Sequence, residues 1–157
     1  MKICDILSVN HIKAEIESTK KEDVIGELID LLAGEPEVKD LDEIKKSVLE
    51  REKIMSTGVG KGFAIPHAKT SSVKGIIASF GKSKNPIDFN ALDGEPVHLV
   101  FVLIGQDNMV GQHIKLLSRI SRMMNKDEFR EALLKAKTSE EIYEIFDEEE
   151  KKYFELT

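Results

Sequence analysis

Strand-like and helix-like patterns follow one another along this 157-residue chain in an order that predicts an α/β fold of three layers, a mixed β-sheet with helices on both faces. Three observations carry that expectation. Apolar and charged residues alternate from Ile12 to Glu17, apolar stripes recur at helical period in several separate stretches, and an unbroken apolar run from Leu99 to Ile104 suits the centre of a sheet.

Ile12, Ala14 and Ile16 alternate with Lys13, Glu15 and Glu17, the pattern of a half-exposed strand. Thr19 and Glu22 have capping-box spacing, so a helix is expected to open at Thr19, with Val24, Ile25, Leu28, Ile29 and Leu32 as its apolar stripe and Gly34 before Pro36 as its stop. Asp40 with Glu43 repeats the start signal. Leu41, Ile44, Val48 and Leu49 supply the buried side of this second helix, which runs to about Lys53 and places Arg51 on its final turn. Further on, Gly75–Lys82 and Val97–Ile104 read as strands, separated by the turn-rich stretch NPIDFNALDGEP. From about Asn108 the pattern is helical: Ile114, Leu117, Ile120 and Met124, then Phe129, Leu133 and Leu134, then Ile142, Ile145 and Phe146, with a third capping box at Thr138 and Glu141. The tail DEEEKKYFELT is expected to fray, although Tyr153, Phe154 and Leu156 can dock if the last helix continues. No internal repeat or low-complexity linker interrupts the chain, so residues 1–157 are read as one domain, with a core of about 7–147 and a charged tail at 148–157.

Composition narrows the function. The formal charge is -6, and no cluster of Lys and Arg interleaved with aromatics is present, so nucleic acid is not an expected partner. Cys4 is the single cysteine, which excludes an intramolecular disulfide, and the N-terminal MKICDILSVN lacks the apolar centre of a signal peptide. A cytoplasmic location is therefore expected. The run Leu99–Ile104 is far too short to span a bilayer, so direct membrane insertion is not expected either.

The most informative stretch is REKIMSTGVGKGFAIPHAK, from Arg51 to Lys69. Gly58, Gly60 and Gly62 permit positive φ or close approach of another group, and Ser56 and Thr57 add hydroxyls beside backbone N–H groups that can cradle an anion. Phe63, Ala64 and Ile65 read as a short buried strand that Pro66 ends, leaving His67 where the strand gives out. An imidazole there has the chemistry to accept and release a phosphoryl group. Each part has a plainer reading: a glycine cluster is commonly only a loop, and a lone histidine is commonly structural. Arg51 is open between a helix C-terminal cation and a phosphate contact. His113, in step with Leu117, Ile120 and Met124 in the first turn of a helix, is open between a core histidine and a second residue of the same pocket. Lys61 and Lys69 read as exposed charges, and His11 and His98 as structural. The glycine spacing fits neither G-x-G-x-x-G nor G-x-x-x-x-G-K-[ST], so nucleotide binding is not supported.

Taken together, REKIMSTGVGKGFAIPH, ALDGEPVHLVFVLI and QHIKLLSRISRMM resemble the fructose/mannitol-type enzyme IIA family of the bacterial phosphoenolpyruvate-dependent phosphotransferase system, over about Leu7 to Asp147. The resemblance implies that His67 is the phosphorylated residue, charged by the phosphohistidine of the carrier protein HPr and discharged to a cysteine of an enzyme IIB on a separate chain. It implies that His113 is the second active-site histidine and Arg51 the arginine near the phosphoryl group. The STGVG form of the loop is more similar to the fructose-type and nitrogen-regulatory branches than to the mannitol branch. In the second of these the output is binding to a target protein according to phosphorylation state. Such chemistry needs donors that position charge, and no metal or other cofactor. A metal-dependent hydrolase is a distant alternative, since the histidines lack the spacing of a local zinc motif.

Overall fold

The computed structural model describes the backbone of residues 1–155 and the side chains of residues 1–153. Its elements in chain order are α1 (Ile3–Ile6), a single 3-10 turn (Val9–His11), β1 (Ile12–Lys13), α2 (Lys21–Asp30), α3 (Leu41–Ile54), β2 (Gly58–Gly60), β3 (Phe63–Ala64), β4 (His67–Thr70), β5 (Ile76–Ile87), β6 (Val97–Gln106), α4 (Val110–Met124), α5 (Asp127–Lys135) and α6 (Ser139–Glu155). The strands form one mixed sheet in the order β1-β5-β6-β3-β2, with β4 also alongside β6.

The predicted three layers are present, and β6 organises them. Its side chains alternate, so Leu99, Phe101 and Leu103 enter one apolar core while Val100, Val102 and Ile104 enter another. The first core lies beneath α1, α4, α5 and α6, through residues such as Ile3, Leu116, Ile120, Phe129 and Phe146. The second lies beneath α2 and α3, through Val24, Leu28, Ile44 and Val48. A strand buried on both faces is necessarily an apolar run, which is why 99–104 carries no charge.

Two of the three expected caps form. Asp40 accepts from the N–H of Glu43 at 3.1 Å, and Thr138 Oγ1 accepts from the N–H of Glu141 at 3.1 Å. The third is corrected: α2 begins at Lys21, not Thr19, and has no side-chain cap. Glu27, from within that helix, instead accepts from the N–H groups of Glu17 and Ser18 at 3.0 and 2.8 Å, which holds the incoming chain extended. The predicted strand at 12–17 shrinks to Ile12–Lys13. Ile12 packs in the first core but Ile16 in the second, so the backbone must rotate between them, and alternation does not survive that crossing.

Other expectations change in the C-terminal half. The buried face of α4 is His113, Leu116, Ile120, Met123 and Met124, while Ile114 is exposed; the stripe is turned by about one residue from the one expected. Leu134 is likewise exposed. The charged tail does not fray over the described residues. Instead α6 continues to Glu155, and Glu149 and Glu150 are buried. The Glu150 carboxylate accepts from the N–H groups of Ile3 and Cys4, and Arg119 pairs with it at 3.4 Å, so the C-terminal helix caps the first one. Tyr153 packs against the first core, whereas the side chain of Phe154 and all of Leu156 fall outside the described residues.

Candidate functional site

His67 does not stand where a strand gives out. Phe63 and Ala64 pair with Leu99 and Val100, and His67 to Thr70 pair with Leu103 to Gln106 in the same parallel register. Thus β3 and β4 are two lengths of one line along β6, interrupted at Ile65 and Pro66. Proline removes only its own donor, and its carbonyl still accepts from the N–H of Leu103 at 3.0 Å. Alternation then puts His67 on the same face as Ile65 and Leu103, under α4.

The ring of His67 lies with Nδ1 2.8 Å from the carbonyl oxygen of Ile65. A carbonyl only accepts, so Nδ1 carries the proton and Nε2 keeps its lone pair. Burial holds the imidazole below its ordinary pKa of 6.5, with the nearby Arg51 cation adding to that effect and the Ile65 carbonyl and Glu52 partly opposing it. Near neutral pH this is an uncharged imidazole with a single free nitrogen, the one a phosphorus or other electrophile would meet.

His113 stands in the first full turn of α4 at 2 % exposure, its ring centroid 5.7 Å from that of His67 and tilted by 56°. Both of its ring nitrogens are buried without a hydrogen-bond partner. Gly105 makes room for it: a Cβ built at Gly105 would fall 2.6 Å from His113 Nδ1. Burial, then the charges of a protonated His67 and of Lys69, push its pKa down to about 4. A neutral imidazole buried beside His67, with no hydrogen-bond partner among the described residues, has a ring N–H to offer an oxygen of a group held on His67.

That depressed pKa gives a stability prediction. Between about pH 4 and 6.5 the unfolded chain binds a proton at His113 that the folded one excludes. The proton-linked penalty is therefore absent above this window and grows progressively as pH falls through it, to about 3 kcal/mol in full. In urea unfolding from pH 7 to pH 4, wild type is expected to lose that much more stability than His113→Leu. Parallel losses would contradict it.

Arg51 lies on the last turn of α3, as expected, and its Nη1 donates to the carbonyl of Met55 at 2.9 Å. It thus caps its own helix while its charge reaches His67. The glycine loop is a braced hairpin. The N–H of Gly58 goes to Ser56 Oγ at 3.0 Å, Ser56 Oγ donates to the carbonyl of Phe89, and the N–H of Lys61 goes to Asp93 at 3.0 Å. Gly60 and Gly62 adopt φ of +135° and +79°, which turns the chain from β2 into β3. Thr57 directs both its N–H and its hydroxyl to Glu52, at 2.9 and 2.6 Å. Ser56, Thr57 and Gly58 are therefore satisfied internally, and the structure brings His67 and His113 together more directly than it does the loop.

Glu52 is the residue the sequence reading misses. It is 5 % exposed and also pairs with Lys21 Nζ at 2.9 Å, so α2, α3 and the loop meet on one carboxylate. The signal is in the sequence: Ile44, Val48 and Glu52 share one i, i+4 row, so the acid continues a buried stripe. Gly105 is missed too, because nothing local distinguishes a strand glycine that serves a histidine on another element. Among the described residues there is no cluster of three or more His, Cys, Asp or Glu able to hold a metal ion, and no helix long and apolar enough to cross a membrane.

Comparison with known proteins agrees with this picture. Residues 5–149 match the family described as "Phosphoenolpyruvate-dependent sugar phosphotransferase system, EIIA 2". The fructose-specific EIIABC component of Bacillus subtilis is 40% identical over 96% of this chain, which spans only 24% of that relative. A nitrogen regulatory protein of Pseudomonas aeruginosa is 34% identical, over 89% of this chain and 91% of its own length. Among solved structures, the nitrogen regulatory protein IIA-Ntr of Neisseria meningitidis superposes with a TM-score of 0.86 at 33% identity, covering 92% of this chain and 98% of that one. Mannitol enzyme IIA of Escherichia coli, solved in complex with phosphorylated enzyme IIB, shares the fold with a TM-score of 0.77 at 18% identity, over 90% and 99% of the two chains.

Proposed function

The chain belongs to the EIIA 2 family of the phosphoenolpyruvate-dependent sugar phosphotransferase system, and from that premise we propose that it is a phosphocarrier whose acceptor is Nε2 of His67. The observation that carries the reading is the pair of neutral imidazoles with centroids 5.7 Å apart, one with a free nucleophilic nitrogen and the other with no partner for its ring nitrogens.

In the proposed reaction Nε2 attacks phosphorus in line, the N–P bond of the HPr phosphohistidine breaks, and its electron pair returns to the donor ring. The His67 ring takes on positive charge, which the Ile65 carbonyl stabilises through the Nδ1 proton. His113 donates its N–H to a phosphoryl oxygen at the N-terminus of α4, where the helix dipole favours an anion, and Arg51 offsets negative charge from α3. The braced loop of Ser56, Thr57, Gly58, Gly60 and Gly62 sets the wall beside the phosphoryl group. Onward transfer reverses the bond changes: Nε2–P breaks, the pair returns to Nε2, and phosphorus passes to the thiolate sulfur of an enzyme IIB cysteine. Neither step consumes water or needs a metal.

Exposed apolar residues sit next to the site residues in sequence: Met55 and Val59 on the arginine and loop side, Val110 and Ile114 around His113. Such residues suit brief docking of HPr and of an enzyme IIB. The Pseudomonas and Neisseria relatives support a second reading, in which phosphorylation governs binding to a regulatory target. Both readings require the chain to take phosphate from phosphoenolpyruvate, enzyme I and HPr. Rapid discharge to an enzyme IIB cysteine marks the transport role, and stable label with phosphorylation-dependent target binding marks the regulatory one. No labelling defeats both.

A further inference from the structure

Lys69 reads from sequence as a solvated charge, yet the sheet gives it a particular position. On β4 it follows His67 by two residues, so both side chains leave the same face, while Ala68 and Thr70 between and beyond them are buried on the other side. In register, Lys69 pairs with Gly105, the residue over which the His113 ring lies. It is thus beside one histidine along the strand and beside the other across it. Its charge lowers the proton affinity of both. Lys69 is exposed and has no carboxylate within ion-pair distance among the described residues, unlike Lys13, Lys21, Lys45 and Lys84, which all have one.

We propose that Lys69 is a phosphoryl-contacting residue of the transfer reaction: its ammonium reaches the equatorial oxygens as phosphorus passes to His67, and it supplies a second cation beside Arg51. The two are not redundant. Arg51 is tied to the carbonyl of Met55 at its helix end, whereas Lys69 has a flexible stem and no competing acceptor among the described residues. The His113 imidazole is neutral, and the positive charge on the phosphorylated His67 ring offsets only part of a dianionic phosphoryl group, so further cations must come from neighbouring side chains. An arm two residues along the strand, about 6.6 Å from His67 at the backbone, spans that gap with its four methylenes.

This inference rests on His67 being the acceptor, and the test separates the two. Wild type, Lys69→Gln and Lys69→Arg are charged from phospho-HPr in rapid-quench experiments, and label is mapped to its residue. Lys69→Gln is expected to take label on His67 roughly tenfold more slowly than wild type, and Lys69→Arg to recover to within about twofold, since the exposed site retains a cation. The gap between wild type and Lys69→Gln should also narrow as salt rises, because a solvent-facing charge is screened. Circular dichroism controls for folding, which an exposed side chain leaves unchanged. A Lys69→Gln rate equal to wild type, with label still on His67, overturns the role of Lys69 and leaves the acceptor assignment standing. Label on another residue of wild type, or none, removes both.

Discussion

His67→Ala is expected to abolish acid-labile phosphate on the protein while leaving it folded. No other imidazole can substitute. His113 is 2 % exposed with both ring nitrogens enclosed, so no phosphorus can approach it in line. His11 is buried and bonded to Glu35 at 3.0 Å. His98 gives Nδ1 to the carbonyl of Ser83 and lies near the opposite end of β6 from Leu103, the partner of His67. The structural cost of the substitution is small by comparison. The ring is half-buried at the margin of the first core, and its one hydrogen bond is worth about 1 kcal/mol. Labelling from phosphoenolpyruvate through enzyme I and HPr should therefore fall to background with a melting curve close to wild type. Retained label would move the acceptor elsewhere.

Glu52→Ala is expected to destabilise the protein by about 3–5 kcal/mol, the range for removing one partner of a buried ion pair. Three donors lose their acceptor at once: the N–H and hydroxyl of Thr57 and the ammonium of Lys21, itself 12% exposed. Lys21 keeps the carbonyl of Phe89 at 3.2 Å, which compensates only part of the loss. Glu52→Gln retains shape and one acceptor oxygen and should cost less than Ala. The effect also reaches the site, because the carbonyl of Thr57 accepts from the N–H of Ile65, whose own carbonyl holds the His67 ring. Phosphorylation should accordingly slow in both variants under conditions where each is fully folded. Urea unfolding with a loss below about 1 kcal/mol for Glu52→Ala would show that the carboxylate does not brace the loop.

How far the fold and site are legible in sequence depends on how local the determining contacts are. The caps at Asp40 and Thr138 are legible because three residues decide them, and the central strand is legible because two-sided burial demands an apolar run. The start of α2 is not, since Glu27 within the helix takes the N–H groups of Glu17 and Ser18 and holds the chain that leads into Thr19 extended. Pro66 reads as the end of a strand, but the partner β6 carries the pairing past it, and no local pattern encodes that register. His113 is open between core and site in sequence, and the structure shows why: it is buried on the α4 stripe and also beside His67. Glu52 and Gly105 escape notice, and Lys69 reads only as an exposed charge, because their surroundings are assembled from distant segments. The fold class survives these local errors, since it rests on the order and period of long apolar stretches.

On the proposed function, His67 accepts phosphate through Nε2 because the Ile65 carbonyl fixes the proton on Nδ1. The most direct test is nitrogen-15 and phosphorus-31 NMR of wild-type protein, ring-labelled at histidine and charged through enzyme I and HPr. One phosphorus coupled to Nε2 of His67, with Nδ1 still protonated, is the predicted result. Phosphorus on Nδ1, on His113 or on any other residue would contradict it.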